Sequence, residues 1–503
     1  MTTVRLVPSA PRARADVSWC LSLRQRCDLE LLACGGFAPL TSFLGERDHL
    51  SVCSRMRLAD GQLWPVPVML DVPTAVVRQL DAQRWLSLRD QDGTLLARLE
   101  VREAWRPDLY AEALAVFGTA DLAHPGVAHL LRHTHPWYVA GVLEVVRPVE
   151  HHDFRELRHT PAELRAELGE RGWDRVVAFQ TRNPMHRAHQ ELTLRAARAC
   201  DAKVLLHPVV GVTRPGDVDA VVRVKCYREL LSTYPPGSAL LSLLPLAMRM
   251  AGPREAVWHA LIRRNYGATH FILGRDHAGP GARADGTVFY PPYAAQQLAR
   301  EHAAEIGLAV VDFEQLVYVE ESASYLPLSE VPEGGTVRAL SGTRLRALLT
   351  EGGEIPEWIT DRRVAAVLRR AAAAHGLPGL LLQVSSCTGA APRNLVRALV
   401  GQLAEFDDRR VVGGQQVTPG VVAVDASGVR QRRGVHLHLL TGEHHRDCVL
   451  HHDVLVAAAG RPVAAVAAEI VSRLQGLGHL HGPYQHNTRR TARTSDRRSG
   501  EAS

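Results

Sequence analysis

The segment Val177–His189 (VAFQTRNPMHRAH) constrains this chain more than any other stretch. An apolar run ends in a polar loop carrying Gln180, Thr181, Arg182 and Asn183. The loop then enters a helix start with His186 and His189. A strand that passes into a helix through such a loop aims backbone N–H groups and the positive helix end at one point, which suits an anion. Arg182 adds a planar fork for oxyanions. His186 and His189 share one face of the first helical turn. A histidine pair at this spacing, taken alone, more often lies on the surface or binds metal. The preceding Gln-Thr-Arg-Asn turns the reading toward a triphosphate held without a P-loop.

The surrounding pattern places that loop in a sheet. Arg175–Phe179, Lys203–Val210 and Thr269–Leu273 are continuous apolar runs, as in parallel strands buried on both faces. Helical patterns over Ala188–Cys200 and Gly252–Tyr266 separate them. The expectation is a doubly wound α/β domain with its ligand loops at the carboxyl ends of the strands. A second such loop, Gly274–Gly281 (GRDHAGPG), follows the run Thr269–Leu273. By itself, Gly-Arg-Asp after a strand is also a common turn with an internal salt bridge.

Five ordered blocks carry a family resemblance. They are Gln180–His189, His207–Asp217, Leu243–Glu255, Gly274–Gly281 and, upstream, Cys27–Leu40; Ser341–Arg346 and Ile355–Trp358 follow in the expected place. Together they resemble the ATP sulfurylase family from about residue 20 to about residue 370. The resemblance implies a PUA-like β-rich domain over 1–152, with short strand-like runs at Leu63–Val72 and Leu95–Val101, and a catalytic domain over 153–376.

The resemblance also implies a reaction: MgATP and sulfate give adenylylsulfate (APS) and pyrophosphate. Sulfate is already ionised, so catalysis needs positioning and charge stabilisation rather than a general base. Carried over by motif position, Gln180, Arg182 and the backbone N–H of Ala278 hold sulfate. Thr181, Arg182 and Asn183 surround the reacting phosphoryl group. His186 and His189 stabilise charge on the departing pyrophosphate. Gly274, Arg275, Asp276 and His277 contact ATP, and Val317 lies where the family's backbone holds adenine. Leu316 departs from the methionine of many relatives. Arg214 is either part of a polar turn or a closing group over the anions.

The region 377–482 has a different character. Gly379–Ser385 reads as a buried strand, followed by a small-residue loop and the helix Leu395–Leu403, the layout of a P-loop. Many ATP sulfurylases carry an APS-kinase-like domain here, and Gly460–Leu474 resembles its closing helix. Ala391, Pro392 and Arg393 stand where a working P-loop has Gly, Lys and Ser/Thr. Proline also removes an amide donor. The expectation is no kinase activity and a structural domain. A bifunctional synthase and a nucleotide-sensing module remain as alternatives.

His436, His438, His444, His445, Cys448, His451 and His452 imitate a metal cluster, but no four-ligand spacing emerges and a solvated strand face is expected. Residues 483–503 read as a disordered basic tail. A net charge of +6 with 22% charged residues fits a soluble globular protein with an anionic substrate. No basic cluster interleaved with aromatics points to nucleic acid, and no apolar stretch points to a signal peptide or a membrane. Eight cysteines without a CxxC pair point to free thiols in the cytoplasm. The resemblance implies a homo-oligomer, with Mg2+ arriving as MgATP.

Overall fold

The computed structural model describes residues 17–80, 84–338, 342–351, 353–374, 376–377, 380–386, 389–390, 393–413, 421–425, 435–440, 454–457, 462–477 and 480. Two compact units divide the chain: 1–150 with 154–372, and 151–153 with 373–503. Among the described residues no helix is long and apolar enough to cross a membrane.

The first unit opens with a five-stranded sheet. Its strands are β1 (Val17–Cys20), β2 (Leu70–Val72), β3 (Trp85–Arg89), β4 (Leu95–Trp105) and β5 (Trp137–Val145), in the order β1-β3-β4-β5-β2. The expected run Leu63–Val72 forms a strand only at its end. Leu95–Val101 extends to Trp105, with a register shift between Val101 and Glu103. Helices Leu23–Cys34, Glu46–Arg55, Thr74–Leu80, Leu109–Phe117 and Pro125–His133 accompany the sheet. Ser22 and Gln25 close a reciprocal capping box at the first helix.

A second sheet follows in the same unit: β6 (Val176–Phe179), β7 (Lys203–Leu206), β8 (Ala239–Leu241), β9 (His270–Leu273) and β10 (Ala309–Asp312). All neighbours are parallel, in the order β10-β9-β6-β7-β8. Side chains alternate between two cores, as strand geometry requires. Val176, Ala178, Leu205, Phe271 and Leu273 face one, while Val177, Phe179, Val204, Leu206 and Ile272 face the other. This two-sided burial explains the unbroken apolar runs.

The first of these cores is continuous with the N-terminal sheet. Phe37, Trp64 and Trp258 meet there with ring centroids 5.1 to 6.3 Å apart. Asn265 at the end of helix Gly252–Asn265 donates to the carbonyls of Gly36 and Ala38. The N-terminal layer therefore shares its apolar interior with the parallel sheet. A small antiparallel sheet completes the unit, with β11 (Leu316–Val319) between β12 (Ser324–Pro327) and β13 (Val337–Arg338).

The second unit is another parallel sheet: β14 (Leu380–Ser386), β15 (Gly389–Ala390), β16 (Arg410–Gly413), β17 (Val421–Asp425), β18 (Val435–Leu440) and β19 (Val454–Ala457). The order is β16-β17-β14-β18-β19, with β15 folded back on β14. Helices Arg393–Phe406 and Val463–Gly476 supply Leu395, Leu399, Leu403, Val466 and Ile470 to its core. Arg393 is the exposed first residue of its helix. Ala391, Pro392, the histidines and cysteine of 444–452 and the tail 483–503 lie outside the described residues. His436 and His438 belong to β18, an interior strand paired on both sides.

Candidate active site

The order of the central sheet decides where a ligand can sit. Chain order runs from β6 outward through β7 and β8, then returns across β6 to β9 and β10. The loops after β6 and β9 diverge at this reversal, which is where doubly wound sheets open a crevice. Both polar loops read from the sequence fall there. They line a cavity of about 450 Å3 together with Met248, Phe313, Glu314, Gln315 and Leu316. That volume is in the range of small-ligand sites.

The loop after β6 is locked by its own polar groups. The hydroxyl of Thr181 accepts from the Asn183 N–H and donates to the Asn183 carbonyl, both at 3.1 Å. Tyr227 donates to the same carbonyl at 2.7 Å. Gln180 is buried, with its amide nitrogen 3.7 Å from the Met248 sulfur. Arg182 donates through Nη1 to Asp217 at 2.6 Å and through Nη2 to the Gly279 carbonyl at 3.4 Å. The two loops are thus linked by the very guanidinium that faces the cavity.

His186 caps helix Arg187–Cys200, and its backbone N–H donates to Nδ1 of His189 at 3.1 Å. That bond leaves the His189 proton on Nε2. Burial holds both imidazoles down to about 4, so both are neutral. His189 therefore offers a neutral donor beside a positive helix end. The helix start is anchored from outside. The Arg187 N–H donates to the Ile359 carbonyl at 3.0 Å and its Nε to the Glu357 carbonyl at 2.6 Å. Trp358 stacks on Tyr318 of β11 at 4.9 Å. The segment Glu357–Ile359 is thus a clamp on the histidine helix.

The loop after β9 turns sharply. Ala278 adopts φ +54, in the left-handed region, and its carbonyl accepts from the Gly252 N–H at 3.2 Å. The Asp276 carboxylate lies so close over Gly279 that a Cβ there would collide with it. Arg214 donates to the Pro280 carbonyl at 2.6 Å, and its backbone N–H donates to Asp217 at 3.0 Å. Arg214 therefore braces the second loop.

Of the residues singled out in the sequence, Gln180, Thr181, Arg182, Asn183, His189, Gly274, Arg275, Asp276, His277 and Ala278 line the cavity together. His186 and Val317 do not line it; Val317 is buried within β11 while Leu316 reaches the wall. Sequence reasoning missed Asp217, Met248 and Tyr227 as supports. Asp217 and Met248 do fall inside family-like blocks, His207–Asp217 and Leu243–Glu255, which is the signal that marks them. Among the described residues no group of three or more His, Cys, Asp or Glu side chains is placed to hold a metal ion.

A parallel sheet whose order reverses between two convergent donor-rich loops defines a doubly wound α/β protein with a small-ligand site at the reversal. Known proteins narrow the class. The ATP-sulfurylase family model matches residues 155–371, and a PUA-like domain model matches residues 9–148. Sulfate adenylyltransferase of Gibberella zeae is 49% identical over 394 residues, covering 78% of this chain and 69% of that protein. The enzyme of Schizosaccharomyces pombe is 48% identical, covering 78% and 80%, and that of Saccharomyces cerevisiae 46%, covering 78% and 77%. A solved structure, a hexameric APS kinase from Thiobacillus denitrificans, is 26% identical with TM-score 0.58, covering 93% of this chain and 94% of that one.

The chain belongs to the ATP sulfurylase family. Its activity is that of a sulfate adenylyltransferase, the transfer of AMP from ATP to sulfate. The second unit is consistent with an APS-kinase-like fold.

Proposed function

We propose that the cavity at the sheet reversal is where ATP and sulfate react, with MgATP as the nucleotide substrate. A sulfate oxygen attacks the α-phosphorus, the new S–O–P linkage forms, and the bond from the α-phosphorus to the bridging oxygen breaks as pyrophosphate leaves. Gln180, Arg182 and the Ala278 N–H hold sulfate. Thr181, Arg182 and Asn183 surround the α-phosphoryl group. Gly274, Arg275, Asp276 and His277 hold ATP, with the β11 backbone at Val317 near adenine. The Nε2–H of His189 donates to charge growing on the bridging oxygen, and His186 fixes the His189 tautomer through its backbone. Electrostatic preorganisation of this kind needs no proton transfer.

The observation that carries this reading is the Arg182 bridge: from the loop after β6 its guanidinium reaches Asp217 and the Gly279 carbonyl of the loop after β9, at the cavity wall. Arg182→Ala tests it. The expected result is loss of APS formation in the presence of pyrophosphatase, with ATP binding retained. Full turnover would reject the reading.

The domain limits 1–152, 153–376 and 377–482, cytoplasmic location and homo-oligomeric assembly belong to the same proposal. The hexameric description of the Thiobacillus denitrificans protein supports the last of these. The second unit has no kinase activity in this reading, because Ala391-Pro392-Arg393 replaces the phosphate-holding residues. Incubation with APS and ATP is expected to give no 3′-phosphorylated product; finding it would make the chain a bifunctional synthase.

A further inference from the structure

Glu255, His259 and His277 form a buried chain that ends at the cavity wall. Glu255 and His259 lie one turn apart on helix Gly252–Asn265, both fully buried. Glu255 accepts the backbone N–H of Arg249 at 2.9 Å and of Ala251 at 2.8 Å. Its Oε1 also lies 3.2 Å from Nε2 of His259, close enough for an ionic contact but without hydrogen-bond geometry. On the other edge of the ring, Nδ1 of His259 is 3.0 Å from Nε2 of His277. The two imidazoles meet edge to face, and Phe271 packs on the His277 ring at 5.4 Å.

The charge states are fixed by the surroundings. Burial raises the Glu255 carboxyl, but His259 and the two backbone N–H groups outweigh it and hold it below its ordinary value. Burial lowers His259 despite Glu255. Burial, with His259 and Arg263 adding to it, keeps His277 well below the ordinary histidine range. The chain is one carboxylate and two neutral imidazoles.

Tautomers follow from that. A bare ring nitrogen 3.2 Å from a carboxylate oxygen would set lone pair against lone pair, so Nε2 of His259 carries its proton and Nδ1 is a bare acceptor. Nε2 of His277 must then donate to it, which leaves Nδ1 of His277 bare. Among the described residues no protein donor meets that nitrogen, and His277 lines the cavity.

We propose that Glu255 and His259 are positioning residues that lock His277 as the Nε2–H tautomer, so that its Nδ1 accepts a hydrogen bond from the nucleoside part of ATP. The inference rests on reading this cavity as the ATP site. Ionised phosphates and sulfate carry no donor hydrogens and repel a lone pair. The donors on ATP are the ribose hydroxyls and the adenine amino group. His277 and His189 thus have opposite tasks: His189 presents its Nε2–H, while His277 turns its own inward.

The test uses the full chain with His277→Leu, His259→Leu and His259→Asn, the last keeping an amide oxygen near the Nδ1 position. In 15N-histidine spectra the signal lost in H277L is expected to show an unprotonated Nδ1 in the unsubstituted protein and in H259N. In H259L it is expected to average between tautomers. The KM for ATP and for APS is expected to rise about tenfold in H277L and H259L, while the KM for pyrophosphate in the reverse reaction stays within about twofold. With 2′-deoxy-ATP, 3′-deoxy-ATP and purine riboside triphosphate, the analogue lacking the recognised donor is expected to show no further loss in H277L. A protonated Nδ1 in the unsubstituted protein would overturn the proposal. So would a pyrophosphate KM that climbs with that of ATP, or an H277L loss undiminished with all three analogues. The site reading itself fails separately, through full turnover in Arg182→Ala.

Discussion

Asp217 holds Arg182 at 2.6 Å, and both side chains are largely shielded from water. The carboxylate takes one edge of the guanidinium and leaves the rest of the fork for a ligand. Asp217→Asn keeps the shape but removes the charge that orients the fork. The KM for sulfate is expected to rise about tenfold, because loss of one charge-assisted bond costs about 1.5 kcal/mol. An unchanged sulfate saturation curve would show that Arg182 is oriented by Gly279 alone.

Arg182→Lys separates charge from geometry. A lysine cannot reach Asp217, the Gly279 carbonyl and an oxyanion together. Turnover is expected to fall about a hundredfold or more. Activity within a few-fold of the parent would mean that a point charge suffices.

Gly279→Ala tests the second loop. The new Cβ collides with the Asp276 carboxylate, so Asp276 has to swing away from its place at the cavity wall. The expected outcome is a KM for ATP raised about tenfold with global stability kept. An unchanged KM for ATP would show that Asp276 does not serve the nucleotide.

Asp28 and Arg249 make a buried ion pair at 2.6 Å that ties helix Leu23–Cys34 to the segment before helix Gly252–Asn265. Breaking one side strands a buried charge, at a cost of about 3–5 kcal/mol. Arg249→Met is therefore expected to shift urea unfolding strongly, and Asp28→Asn combined with it to recover part of the loss.

Acid should weaken the fold through the paired histidines. His186 and His189 stay neutral down to about 4 when folded, against about 6.5 in the unfolded chain. Between those values the unfolded chain binds more protons. Their contribution is complete above about pH 6.5 and declines as the pH falls toward 4. Melting temperatures from pH 7.5 to 5 are expected to fall, and His189→Asn is expected to flatten that slope. An identical slope in the variant would place the acid sensitivity elsewhere.

Much of this molecule could be read from one-dimensional pattern. The apolar runs of β6, β7 and β9 announce strands buried on both faces, because a parallel sheet covered by two cores leaves no polar alternation. The loops after β6 and β9 were legible because donors and cations without bulk have no use in a core. The boundaries were less so. Leu63–Val72 reads as a strand yet forms one only over Leu70–Val72; Leu63 makes an isolated bridge with Arg57, and the residues between fill the N-terminal core. The five helices around the first sheet left no strong pattern either; helix Leu23–Cys34 buries Gln25 and Asp28 beside its leucines.

What the sequence determined by itself was residue chemistry in local order: two phosphate-type loops, each after a strand, and a third domain whose P-loop position carries Ala-Pro-Arg. What only the tertiary structure decided was pairing across distance. Asp217 finds Arg182 across 35 residues, Trp358 finds Tyr318, and Glu255 and His259 reach His277 from another element. No local propensity encodes those meetings. They arise because the fold sets separate loops and helices side by side, and close packing then fixes which polar groups must satisfy one another.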